Sequence, residues 1–298
     1  MNTENLNVPK GMIDVVLDTD AYNEIDDQFA IAYMLGSKDK LNIKAFYAAP
    51  FYNENSNGPA DGMERSYHEI LKLLELAGES YDVYRGSDRY LPDESTPVIS
   101  EAAKDLAERA MNYSPEKPLY VVAIGAITNV ASALLINPNI ADRIVLVWLG
   151  GHGRDYHDTK EFNMMQDVAS ARAVMKSDVA FVQLPCFGVV SAFALSDADI
   201  EKYFKNKNPL SHYLAVHTEE AVKKYRKSGA WSRVIWDVTA VAWLLNDDNR
   251  FMYSRKVAKR LPGYDHMYED DLDGSLMTYV YYIKRDALLR DMIEKIAE

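Results

Sequence analysis

Asp18-Thr19-Asp20-Ala21-Tyr22-Asn23-Glu24-Ile25-Asp26-Asp27, directly after the apolar run Ile13-Asp14-Val15-Val16-Leu17, is the stretch that decides how this chain reads. It gathers five acidic residues where a buried strand ends. A short apolar run bounded by polar residues reads as a core strand, and Gln28-Phe29-Ala30-Ile31-Ala32-Tyr33-Met34-Leu35 reads as a helix with Asp26 or Asp27 as its N-cap. The loop between them returns Asp20, at the carboxyl end of the strand, to the side of Asp27. Carboxylates brought together in this way repel one another and raise each other's pKa. A hard, oxygen-seeking cation such as Ca²⁺ or Mg²⁺ is their natural compensation. The competing reading is a solvated acidic turn with a single N-cap.

Outward from this segment, residues 43–48 read as a second strand and 60–77 as a helix with Met63, Tyr67, Ile70, Leu71 and Leu74 on one face, stopped by Gly78. Residues 82–84, 119–124, 143–149 and 180–184 read as further strands, and 99–111, 129–136 and 168–176 as helices. Strands apolar on both faces that alternate with helices are the pattern of a mainly parallel sheet flanked by helices on each side. The expected fold is therefore α/β and Rossmann-like, a single domain over residues 1–298 with no repeat or linker to divide it. Past Ser191 the pattern turns helical at 197–204, 209–227 and 238–245. This predicts a helical elaboration near one edge of the sheet in the C-terminal third, before a last strand at 276–283 and a helix at 286–297.

Composition narrows the function classes. A chain of 298 residues, 48% of them hydrophobic, can bury a substantial core. Its formal net charge of -12 argues against nucleic acid and anionic membranes as partners, since both call for clustered Lys and Arg. The single cysteine, Cys186, excludes an intrachain disulfide, residues 1–10 are polar, and no run is long enough to span a bilayer, so a cytoplasmic protein is expected.

In open α/β sheets ligands bind beyond the carboxyl ends of the strands, where Asp20, Pro50, Gly125 and Gly150 all fall. In Gly125-Ala126-Ile127-Thr128-Asn129 either Thr128 or Asn129 would serve as a helix cap. Glu161-Phe162-Asn163 lies in the long loop 150–166 and offers groups that grip sugar hydroxyls. Trp236-Asp237 precedes an apolar helix, with Asp237 read as its N-cap. Individually these are ordinary features; all on the side of Asp20 and Asp27, they point to one site. Residues 50–62, rich in Asn and Gly, have the composition of a binding loop.

These blocks resemble the nucleoside hydrolase family, the inosine-uridine-preferring N-ribohydrolases. The resemblance spans most of the chain. An acidic DxDxxxDD-like motif stands here as Asp18-Thr19-Asp20 with Asp26-Asp27, its turn lengthened and lacking the usual Pro-Gly. The Gly125 to Asn129 block, Trp148-Leu149-Gly150-Gly151, Glu161-Phe162-Asn163 followed by Asp167, and Trp236-Asp237 then follow in order. The resemblance implies one Ca²⁺ ligated by Asp20, both carboxylate oxygens of Asp27, the backbone carbonyl of Thr128, and Asp237. It implies ribose hydroxyls on Asp26, the 5′ side of the sugar on Glu161 and Asn163, and Asp18 as support for the turn. Asp20 would take the proton of a Ca²⁺-held water as it attacks the anomeric carbon of a ribonucleoside, through an oxocarbenium-like transition state. Assembly as a dimer or tetramer is also implied.

The chain departs from the family pattern at two positions. Many members carry a His before the last calcium-binding Asp, where this chain has Trp236, an indole that cannot act as an acid but can stack on a base. After the second strand the usual Gly-Asn is replaced by Ala49-Pro50-Phe51-Tyr52-Asn53, so either Asn53 substitutes as ribose ligand from a shifted loop or the contact is absent. His152 and His157, ahead of Glu161, are the candidates for the missing acid. Two alternatives belong to other classes: a non-catalytic Ca²⁺-dependent nucleoside or sugar binder, and a haloacid dehalogenase-type phosphatase built on Asp18-Thr19-Asp20. The latter has no use for Asp26-Asp27.

Overall fold

A computed structural model describes residues 3–225 and 229–298. Eight strands form one sheet in the order β3-β2-β1-β4-β5-β6-β10-β9. They are β1 (Ile13–Thr19), β2 (Leu41–Ala48), β3 (Val83–Arg85), β4 (Leu119–Ala123), β5 (Ile144–Leu149), β6 (Ala180–Leu184), β9 (Met252–Pro262) and β10 (Tyr268–Ile283). Every neighbouring pair is parallel except β9 with β10. A separate antiparallel pair joins β7 (Ala194–Ser196) to β8 (Ser232–Val234). The order reverses direction between β1 and β4, which makes a crevice at their carboxyl ends.

Strands β4, β5 and β6 are buried at every position because helices cover both faces. Val15 and Leu17 face one apolar layer and Val16 the other, so the alternation of a strand is split between two cores. On the first face lie α1 (Ile25–Leu35), α2 (Pro59–Ala77), α8 (Pro209–Tyr225), α9 (Val238–Leu244) and α10 (Arg285–Ala297); on the second lie α3 (Glu101–Arg109), α4 (Thr128–Ile136) and α6 (Val168–Lys176). Between them in sequence come the short α5 (Phe162–Gln166) and the single turn α7 (Asp197–Asp199). Among the described residues no helix is long and apolar enough to cross a membrane.

The mainly parallel α/β sheet and most element positions match the sequence reading, and the differences have physical causes. Helix α1 starts three residues earlier than expected, with Glu24 at the cap position, so Asp26 and Asp27 sit inside its first turn rather than capping it. There the positive end of the helix dipole faces their carboxylates. On α2, Leu71 is 40% exposed and Leu73 takes its place in the core; the turn ends at Gly78 with a left-handed φ of 67°. The C-terminal helices do not sit at a sheet edge: α8 packs on α1 and α2, and α9 on α1, β4 and β5. The expected helix at 209–227 is seen as far as Tyr225, and its last two residues lie outside the described ones.

Strand β9 had no counterpart in the sequence reading, and β10 begins eight residues before its expected start. As an edge strand β9 carries Arg255, Lys256 and Arg260, not an apolar run. Its charges meet the acidic start of β10, as in the pair Arg260 Nε to Asp271 Oδ1 at 2.5 Å.

Candidate functional site

Asp20 follows β1, and the turn after it closes through a bond from the Asn23 amide to the Asp20 carbonyl, 2.7 Å. This turn folds the acidic segment back so that the first turn of α1 stands over the strand end. Asp237 arrives from the start of α9, where it occupies the cap position without capping, because its carboxylate is turned toward Asp26 and Asp27. Oxygen atoms of Asp26, Asp27 and Asp237 all lie within 4.8 Å of one another. Asp20 stands beside this trio, with Asp27 and then Asp26 as its strongest charged neighbours. Gly125 at the end of β4 leaves room for it, since a Cβ there would stand 3.0 Å from Asp20 Oδ1.

Burial is the first cause of raised pKa values across the group. It lifts Asp20, Asp27 and Asp237 well above the ordinary carboxylate range, with repulsion from neighbouring aspartates adding to it, and it lifts Asp26 to about 7 with the help of Glu24. Thr19 Oγ1 donates to Asp27 Oδ1 at 2.5 Å. Both oxygens of Asp20 and one each of Asp18, Asp26 and Asp237 are buried with no hydrogen-bond partner among the described residues. Buried acceptors are almost always paired, so converging unpaired oxygens are the donor set of a hard cation.

Asp20, Asp26, Asp27 and Asp237 line a cavity of about 360 Å³. Of the residues expected from sequence, Asp20, Asp26, Asp27, His152, Glu161, Asn163, Trp236 and Asp237 line it. The structure does not bring Thr128, Asn53 or His157 to its surface. Thr128 is fully buried and donates its hydroxyl to Asp167 Oδ2, 2.7 Å. Asn53 turns aside to Asn23 Oδ1, 2.6 Å, which places Asn23 rather than Asn53 at the cavity. His157 has a 75% exposed side chain and faces Asp158 outside the cavity. His152, by contrast, is buried at the rim; burial lowers its pKa, opposed in part by Asp158.

Neither Thr128 nor Asn129 caps α4; its cap position is Ile127. Asn129 instead donates to Asp18 Oδ1 (2.7 Å) and to the Ala48 carbonyl (3.1 Å), and accepts from the Ser87 amide and hydroxyl, tying three strand ends together. Burial raises Asp18 to about 7, against the bond from Asn129. Glu161 caps α5, within what the sequence presented as open loop. Its oxygens accept the amides of Gly151, Asn163 and Met164 at 2.8–2.9 Å, and Asn163 donates to the carbonyls of Ile124 and Leu149.

Several cavity residues escaped the sequence reading. Cys186 and Phe187 follow β6, the same strand-end signal that singled out Asp20, and Phe162 sat within the Glu-Phe-Asn block. Lys160 and Arg233 carried no pattern; Arg233 comes from β8 and pairs with Glu24. The mouth is aromatic: Phe187 meets the Trp236 ring edge-on at 5.4 Å, His152 at 5.0 Å, and stacks on Tyr156 at 5.6 Å. A planar group entering there finds aromatic surface on one side and carboxylates below.

Residues 15–262 match the family model for inosine-uridine preferring nucleoside hydrolase. A non-specific ribonucleoside hydrolase, RihC, of Salmonella typhi is 28% identical over 273 residues, covering 84% of this chain and 84% of that protein. Among solved structures, a purine-preferring ribonucleoside hydrolase from Gardnerella vaginalis superposes with a TM-score of 0.77 at 19% identity, over 95% of this chain and 98% of that one. A plant nucleoside hydrolase gives 0.75 at 19% identity, over 96% and 99%. These two likenesses are of fold.

Proposed function

The chain belongs to the inosine-uridine preferring nucleoside hydrolase family, and within it we propose a Ca²⁺-dependent N-ribohydrolase in which Asp20 activates the attacking water. The observation that carries this reading is the set of buried, unpaired carboxylate oxygens on Asp20, Asp26 and Asp237 beside Asp27. Asp20, Asp27 and Asp237 are the residues that would hold the ion, an all-oxygen set suited to calcium. When bound, the ion lowers the pKa of a water it holds.

Asp20, without a hydrogen-bond donor among the described residues, would accept the proton of the attacking water as the water oxygen bonds to the anomeric carbon. The C1′–N bond breaks with its electron pair leaving on the base. Positive charge that builds on the sugar is favoured by the surrounding carboxylates more than the neutral ground state is. Asp26 takes ribose hydroxyls, and Glu161 with Asn163 sits at the 5′ side. A base stacked at the Phe187–Trp236 mouth has His152 within reach as its proton donor, the part that Trp236 cannot play. The name of the RihC relative, a non-specific ribonucleoside hydrolase, favours a broad choice of base.

The test is hydrolysis of inosine, uridine and p-nitrophenyl riboside by the purified protein, before and after chelation. The expected result is turnover lost on chelation and restored by Ca²⁺. Turnover untouched by thorough chelation would remove the metal from the reading, and no turnover of any riboside would leave only a binder.

A further inference from the structure

Outside the acidic cavity, a second one of about 450 Å³ opens behind the segment that carries His152. In a chain of net charge -12 it is lined by three arginines, Arg154, Arg255 and Arg260, with Tyr279 and Tyr281 as ring walls. Arg154 and Arg260 share one carboxylate, Asp271, at 3.6 and 2.5 Å, so the pair is left one negative charge short. The Arg154 Nη2 donates to the Ala258 carbonyl, its Nε is buried with no hydrogen-bond partner among the described residues, and its guanidinium lies 5.5 Å over Tyr279. Arg255 is exposed, stacks on Tyr281 at 5.6 Å, and makes no ion pair among the described residues. Among the described residues Asp155 is the one acid in the lining.

Clustered guanidinium groups repel one another unless an anion lies between them, and their planar forks match phosphate oxygens. We propose that this pocket binds a phosphate-bearing anion, inorganic phosphate or a small phosphate monoester, held by Arg154, Arg255 and Arg260. The pocket is built against the active-site mouth. The Arg154 amide donates to Tyr279 Oη at 3.2 Å, the Gly153 amide to the Phe187 carbonyl at 2.8 Å, and the Tyr156 ring stands 4.4 Å from His152. An anion held there braces the backbone between His152 and Tyr156, which makes it an effector of the neighbouring site rather than a substrate.

The experiment is calorimetric titration of the full chain with sodium phosphate and, separately, with glycerol 3-phosphate, which carries no ribose for the acidic cavity to recognise. Amide hydrogen exchange over residues 152–156 is followed in parallel. The expected result is saturable 1:1 binding, weakened about tenfold or more in Arg255→Ala, where a charge-assisted contact is lost, but not in Lys160→Ala. Arg255→Lys should keep part of the affinity. Exchange in 152–156 should slow on binding in the wild type and not in Arg255→Ala. Equal affinity for the two probes assigns the site to the phosphate group alone, and tighter binding of the ester to a monoester. No saturable binding, or binding unchanged in Arg255→Ala, or lost in Lys160→Ala instead, overturns the proposal. None of these readouts depends on ribohydrolase activity.

Discussion

Two groups of buried acids stand at the same end of the sheet and are opposite in kind. In Glu161 and Asp167 the carboxylates are filled by the protein itself: Glu161 takes three backbone amides, and Asp167 takes the amides of Leu91 and Ser170 and the hydroxyls of Thr128 and Ser170. In Asp20, Asp26 and Asp237 buried oxygens have no donor among the described residues. Neither burial nor acidity tells the groups apart, since both are buried and both are acidic. Satisfaction does. A saturated carboxylate fixes loops, whereas an unsaturated one is poised for something the chain does not contain.

The comparison is broken most sharply at Asp20. Asp20→Asn keeps the shape and removes the proton acceptor, so hydrolysis should fall by roughly 10³-fold or more, with far-ultraviolet circular dichroism unchanged. Retained turnover would place the base elsewhere.

A smaller loss is expected at the mouth. His152→Ala should slow inosine by roughly 10²-fold and leave p-nitrophenyl riboside, whose leaving group needs no proton, nearly untouched. His157→Ala, outside the cavity, should change neither. The pH dependence follows from the lowered pKa of His152: below that value the ring is protonated and can donate, above it the donor is lost. The ratio of inosine to p-nitrophenyl riboside rates, in which the Asp20 step cancels, should therefore keep rising as pH falls below about 6.5, the ordinary imidazole value. A flat ratio would acquit the histidine.

The smallest effect on chemistry, and the clearest on stability, is expected in the saturated group. Asp167→Asn replaces an acceptor by an amide that faces the Ser170 and Leu91 donors, and should cost about 1–3 kcal/mol in denaturant unfolding while metal binding persists. If Asp167→Asn lost its metal with no change in stability, the division between the two groups would fail.

Much of this was legible in the sequence. The alternation of apolar strands and helices, the acidic segment 18–27 and the Glu161–Asn163 and Trp236–Asp237 blocks gave the sheet and most of the cavity lining, because strand ends are marked by where apolar runs stop. What was hidden was set by pairing across long separations. Strand β9 is an edge strand whose Arg260 pairs with Asp271 of β10, and Arg233 reaches the cavity from β8. Asn53, offered as the substitute for an Asn that the family pattern places elsewhere, donates to Asn23 instead. The saturation of Glu161 and Asp167 depends on amides that no pattern of side chains encodes.

Calcium titration of the chelated protein, wild type beside Asp27→Ala, tests the central claim most directly. One tightly held ion per wild-type chain and none in Asp27→Ala is the predicted result. A wild-type chain that takes up no Ca²⁺, or an Asp27→Ala chain that binds it undiminished, would contradict the account.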